Sequence, residues 1–226
     1  MDTTVAAAEQ QSFITKVYGW MAMALAVTAV TAYFVASSST MLNLIFSSKL
    51  VFYGLLIGEV LLVVYLSSMI SKMSATTATA TFLLYAILNG VTFSVIFLLF
   101  TYSSIASAFA VTALTFAAMS IYGYTTKRDL TTMGNLSLMA LFGIILSGVV
   151  NIFLHNSTLD LITSAIGIVV FVLLTAYDTQ KIKQKNIIGN SGTDADKKEA
   201  IMGALILYLD FINLFLKILR FTGKRR

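Results

Sequence analysis

Seven apolar runs separated by short polar stretches set the rhythm of this chain. They cover about Tyr18–Ala36, Leu50–Ile70, Thr79–Phe100, Ile105–Tyr122, Leu136–Leu154, Leu159–Asp178 and Ile201–Leu219. Each is close to the ~20 apolar residues that carry a helix across a hydrocarbon core of about 30 Å. The third and fourth runs are joined by only a few residues, which predicts an antiparallel helical hairpin. The stretches SSSTMLNLIFSSK, TTKRDLTTMGN and TQKIKQKNIIGNSGTDADKKEA read as loops, the last being the longest. The pattern predicts an all-α integral membrane protein with seven transmembrane helices. Residues 1–17 form a polar segment at the membrane surface, 18–220 the transmembrane domain, and 221–226 a basic tail. MDTTVAAAEQQSF lacks a basic region followed by a short apolar core, so no cleaved signal peptide is expected and the first run serves as a signal anchor.

Small residues refine the picture. Gly54 and Gly58 form a GxxxG pair in the second run, a spacing that lets another helix approach closely. Ala106, Ala108, Ala110, Ala113, Ala117 and Ala118 predict close packing of the fourth. The chain has no proline, which predicts fairly continuous helices with glycine left to permit bending.

The last run, IMGALILYLDFINLFLKIL, carries Asp210 at its middle. A carboxylate at mid-bilayer costs at least ~2.5–3.5 kcal/mol and normally faces protein. Asn213 follows at i+3 on the same face, and Gly203 and Lys217 lie seven residues either side, so one stripe should face protein rather than lipid. Asp178 closes the preceding run and offers a partner. The two acids meet only if the sixth helix continues past Asp178 and the seventh begins above the hydrocarbon. Two carboxylates in a low-dielectric site cannot both ionise cheaply, so such a pair holds one proton between them. Deprotonated, it offers hard oxygen ligands that suit calcium. A proton-gated cation site and a shared-proton bond that only joins two helices both remain open. Glu59 is the other acid inside a run, either a satisfied buried carboxylate or a residue on an ion path. Lys72 ends the second run as a snorkelling lysine. His155 stands alone, without the neighbours a metal site needs.

Composition agrees with the membrane reading. The chain is 58% hydrophobic and 11% charged, where soluble domains run near 25% charged. Its net charge of +5 comes from basic residues flanking apolar runs, which speaks for membrane orientation and against nucleic acid. With no cysteine, disulfides, thiol catalysis and thiolate metal sites are excluded. Seven spans put Lys16, Lys72, Lys127, Arg128, Lys181, Lys183, Lys185, Lys197 and Lys198 on one side, against Lys49, Lys217, Arg220, Lys224, Arg225 and Arg226 on the other. The richer side should be cytoplasmic, and the N-terminus with it. The basic tail conflicts with this; a six-span arrangement with a re-entrant last segment would put the tail inside too, but Ile201–Leu219 is long enough and unbroken, which favours seven.

Two segments carry a family resemblance. AYDTQKI (Ala176–Ile182) and GALILYLDFINLFLKILR (Gly203–Arg220) closely resemble signature segments of the Bax-inhibitor, or transmembrane Bax inhibitor motif, family. Span number and spacing agree along essentially the whole chain, and the short termini suggest a bacterial inner-membrane member. The resemblance implies a last helix that is central and surrounded by the other six. It also implies a pH-sensitive calcium leak in which the aspartates matching Asp178 and Asp210 share a proton and control opening. A glutamate matching Glu59 would lie on the ion route; Asn213, from its place on the Asp210 face, is a second candidate for the ion pathway. The family pattern also has an arginine near the cytoplasmic end of the second helix that latches to the first aspartate. Lys72 is the nearest cation here, and lysine lacks the bidentate fork of arginine.

No enzyme is expected, and no cofactor beyond calcium as a transported or transiently bound ion. Intramembrane aspartyl proteases share a Tyr-Asp motif, as in Tyr177-Asp178, but need Gly-x-Gly-Asp where this chain has Leu207, Tyr208 and Leu209 before Asp210. The alternative function is a membrane interaction protein, acting on quality control or stress responses through protein partners, with the acid pair purely structural. The other expected partners are the lipid bilayer, calcium ions and protons.

Overall fold

A computed structural model describes residues 3–226. The described chain is helical, with one isolated antiparallel bridge between Phe100 and Arg225. Nine helices follow in order: α1 Thr3–Ala36, α2 Ser39–Phe46, α3 Lys49–Met69, α4 Ala75–Phe93, α5 Ile96–Leu99, α6 Tyr102–Thr125, α7 Thr131–Leu154, α8 Ser157–Lys185 and α9 Asp194–Thr222. A 3-10 turn at Ile70–Lys72 extends α3, and α4 with α5 makes one span, giving seven segments long and apolar enough to cross a membrane. The protein is an all-α integral membrane protein. In the last span 67% of the most apolar window is buried, against 11% in the second and fifth, whose surfaces meet lipid.

Several local expectations change. α1 begins at Thr3, so the described part of the polar N-terminal segment is helical and continuous with the first span. Met1 and Asp2 lie outside the described residues. The serine-rich loop contains α2, because the Ser38 side chain caps it by accepting from the Met41 N–H at 3.3 Å. The third span is interrupted after Phe93 without any proline. There the Ser94 hydroxyl donates to the Val91 carbonyl at 2.7 Å, and the Ser94 N–H is shared between Gly90 and Val91, so side chain and backbone compete for one turn's carbonyls. The GxxxG pair is no helix seam among the described residues, since a Cβ added at Gly54 or Gly58 would meet nothing within 4 Å. Of the α6 alanines, only Ala108 is buried. It continues a stripe through Thr112, Phe116, Ser120 and Gly123.

The helices gather into two compact units: the chain up to Leu99 with Asn186–Tyr208, and Phe100–Lys185 with Leu209–Arg226. In the first, α1 and α4 touch where Gly90 has no side chain; a Cβ there would sit 2.6 Å from the Thr31 Cβ. Tyr208 is fully buried, its hydroxyl 2.7 Å from that of Thr28 and its ring edge-on to Phe82 and Tyr85. Lys16 pairs with the buried Asp196 at 2.8 Å, fixing the start of α9.

In the second unit, α8 is held by two glycines. Gly123 of α6 lies against the Ala176 carbonyl, and Gly134 of α7 lies under the Tyr177 ring. The end of α9 packs Phe211 between Phe109 and Phe116 of α6, each pair with ring centroids 5.4 Å apart. Lower down, the Lys217 stem covers Gly167 of α8, and Arg220 pairs with Asp160 at 3.0 Å.

Candidate functional site

Helix length decides whether the two aspartates can meet. α8 runs seven residues past Asp178 to Lys185, and its last turn is basic, as the negative end of a helix dipole favours. α9 begins sixteen residues before Asp210, with Asp194 and Asp196 in its first turn and the Thr193 hydroxyl accepting from the Asp196 N–H. Both helices therefore extend beyond the apolar runs, the condition under which the acids reach one depth.

They do meet. The Asp178 and Asp210 carboxyls face each other closely enough to share a hydrogen bond. Ionised carboxylates only accept, so this bond requires a proton on one of them. Asp210 is 5% exposed and Asp178 is half-buried. Lys181 and Lys185, at i+3 and i+7 on the same face of α8, are the positive charges that act on Asp178. Lys181 also donates to the Tyr177 hydroxyl at 3.1 Å. The second oxygen of Asp210 is buried with no hydrogen-bond partner.

Other polar atoms line the same helix faces. Ser120 stands one turn from Gly123, the residue against Ala176, and Ser137 one turn from Gly134, the residue under Tyr177. Both hydroxyls are buried without partners. On α9, the stripe through Asp210 and Lys217 meets α8 at Asp178 and at Gly167, so these two members face protein as expected. Asn213 is half-buried, and its amide donates to the Leu209 carbonyl at 2.8 Å, a bond within its own helix.

Of the remaining candidates, Glu59 and Lys72 belong to the first unit and His155 to the second. Glu59 is 9% exposed and accepts a hydrogen bond from the Thr92 hydroxyl. Lys72 is exposed, in the 3-10 turn that ends the second span. His155 closes α7 with left-handed backbone at φ 49°, its Nδ1 3.2 Å from the Phe153 carbonyl. Thr92 and the lysine pair Lys181 and Lys185 were missed from sequence. The lysines could have been found from their spacing after Asp178. Thr92 gave no signal, because a threonine in an apolar helix ordinarily bonds its own i−4 carbonyl.

The arrangement can hold a proton between two carboxyls and, with that proton lost, present several oxygens to a cation. Among the described residues no three His, Cys, Asp or Glu side chains gather. A calcium ion takes six to eight oxygens, so the two carboxyls could supply only part of its shell.

The whole chain has known relatives. It is 49% identical to the inner membrane protein YbhL of Escherichia coli K12 over 217 residues, 96% of this chain and 93% of that one. It is 44% identical to an uncharacterised protein of Borreliella burgdorferi, covering 96% and 94% of the two chains, and 42% identical to the uncharacterised protein RP147 of Rickettsia prowazekii, covering 95% and 90%. Residues 10–226 match the family described as Inhibitor of apoptosis-promoting Bax1. A match that takes in every membrane span and both aspartates places this integral membrane protein in the Bax inhibitor-1 family.

Proposed function

We propose that the protein is a cation leak of the membrane, with calcium as the ion carried, gated by the proton that Asp178 and Asp210 share. One observation carries this reading: two carboxyls brought face to face, one of them buried, on a pair of membrane helices. Two helices that merely needed joining could use neutral amides or hydroxyls, which bond across helices without a titrating charge. Deprotonation of the pair removes its hydrogen bond and leaves two like charges in a poor dielectric, so the α8–α9 contact has two arrangements that proton concentration selects. Glu59 is a further acid for the ion, and in the second unit Asn213 and the buried hydroxyls of Ser120 and Ser137 supply neutral oxygens. Lys181 and Lys185 hold Asp178 in the closed arrangement.

The likeness to YbhL supports a bacterial inner membrane, and the excess of Lys and Arg in alternate loops supports a cytoplasmic N-terminus. The activity is transport rather than catalysis.

Calcium entry into liposomes that hold only the purified protein, at pH 6 and pH 8, tests the reading. Flux that differs between the two pH values, and stops differing in Asp210→Asn, is the expected result. No flux at either pH would overturn it and leave a membrane interaction protein with a structural acid pair.

A further inference from the structure

The second unit contains a cavity of about 190 Å³ at the end of the spans where α6 stops at Thr125 and α7 starts at Thr131. Lys127, Arg128 and Lys183 line it, with Asp129, Tyr124 and Gln180. Its frame is fixed by Gln180, which accepts from the Leu130 N–H at 3.0 Å and donates to the Arg128 carbonyl at 2.8 Å, clasping the loop to α8. Lys183 donates to the Tyr124 carbonyl at 2.8 Å, and its ammonium lies 4.5 Å from the centre of the Tyr124 ring. Three cations therefore surround the cavity against one carboxylate. That carboxylate is already engaged, accepting the Thr131 N–H at 2.9 Å and the Thr131 hydroxyl at 2.6 Å. The Lys127 and Arg128 side chains make no hydrogen bond or ion pair among the described residues.

We propose that this cavity binds the phosphate headgroup of an anionic phospholipid. Basic pockets between membrane helices at the bilayer surface suit such headgroups. Arginine adds a planar fork matched to phosphate oxygens. The volume holds a phosphodiester headgroup and leaves no room for an acyl chain. On the adjoining turns of the two helices, Ile121 and Tyr122 of α6 and Met133 of α7 are 64%, 40% and 41% exposed, an apolar surface for the tails to lie along. That apolar margin argues for a lipid over a free phosphate ion. The site does not depend on the leak reading.

The test is retention of phosphatidylglycerol against phosphatidylcholine by the purified full-length protein in native mass spectrometry. Three variants accompany it: Lys127→Ala/Arg128→Ala, Lys183→Met, and the exposed control Lys49→Ala/Lys224→Ala. A basic group at an anionic lipid surface is worth roughly fivefold in affinity. The first variant should therefore lose roughly 25-fold in preference for phosphatidylglycerol and Lys183→Met roughly fivefold, with the control unchanged. Equal losses in the control would show diffuse surface attraction and overturn the proposal. So would displacement of phosphatidylglycerol by millimolar inorganic phosphate, which would make the cavity a site for the free ion.

Discussion

Two buried acid sites in one chain satisfy their oxygens by opposite means. Glu59 takes a hydrogen bond from the Thr92 hydroxyl, a neutral donor that serves the carboxyl whether or not it is ionised. Asp210 faces another acid, so a bond between the two exists only while a proton is present. The first arrangement is indifferent to pH in its geometry. The second makes a helix contact conditional on protonation. Burial is similar, 9% against 5% exposure, so the partner's chemistry and not depth separates a satisfied acid from a switch.

The largest expected effect comes from removing the titrating member. Asp210→Asn should abolish the pH dependence of liposome flux, since an amide does not titrate in this range. Glu59→Gln should keep it while changing the amount of flux. If pH dependence survives in Asp210→Asn and disappears in Glu59→Gln, the two sites have been assigned the wrong way round. Asp178→Asn should weaken closure, because the partner loses its proton-sharing group, and a variant as closed as wild type would count against the pair as a gate.

Packing beside the pair offers a second test. An added Cβ at Gly134 would run into the Tyr177 ring, one residue from Asp178. Gly134→Ala should destabilise by about 1–3 kcal/mol, the usual range for overpacking. Gly54→Ala meets nothing within 4 Å and should stabilise by about 0.4–1 kcal/mol through the less flexible unfolded chain. Thermal melts in one detergent compare them, and equal effects would mean that α7 is not seated against α8 as described.

At the Glu59 site, Thr92→Val deletes the donor and keeps the shape. A buried polar group left unsatisfied costs about 1–3 kcal/mol, whereas replacing both partners by apolar groups can be nearly neutral. Thr92→Val should therefore lower the melting temperature, and Glu59→Leu/Thr92→Val should recover most of the loss. A double variant worse than the single would show that Glu59 has further partners holding it.

What could be read from the sequence follows the same division. The aspartate pair was legible because each acid stood in or at the end of a span and no helix breaker followed Asp178 or interrupted Ile201–Leu219. The seven spans were legible from apolar length alone. Thr92 was not, because pairing between spans is set by helix rotation, which an almost uniformly apolar run does not reveal. The same ambiguity misled the reading of Gly54 and Gly58, whose spacing permits close approach but cannot say whether a helix is there. The break at Ser94 was hidden for a different reason: a serine hydroxyl redirected to its own backbone acts like a breaker only in context. The early start of α1 was hidden because MDTTVAAAEQQSF is polar but rich in good helix formers, so polarity placed the membrane boundary and said nothing of the helix boundary.

A third carboxylate sharpens the comparison at its weakest end. Asp129 has neutral donors, as Glu59 does, but stands outside the spans and in water. The Thr131 hydroxyl, and then the Thr131 N–H, hold its carboxyl below the usual aspartate range. A group held lower in the folded chain contributes stability above its unfolded value and loses it as pH falls through the folded one. The contribution should thus be complete above about pH 4 and fade below it. Asp129→Asn should melt slightly below wild type at pH 6, and the gap should be smaller at pH 3, where wild type has begun to lose the charge. A gap of the same size at both pH values would mean that Thr131 donates equally well to the neutral form. Exposure would then remove the pH-dependent part of such a bond, and the contrast between a hydroxyl partner and an acid partner would be a property of buried sites alone.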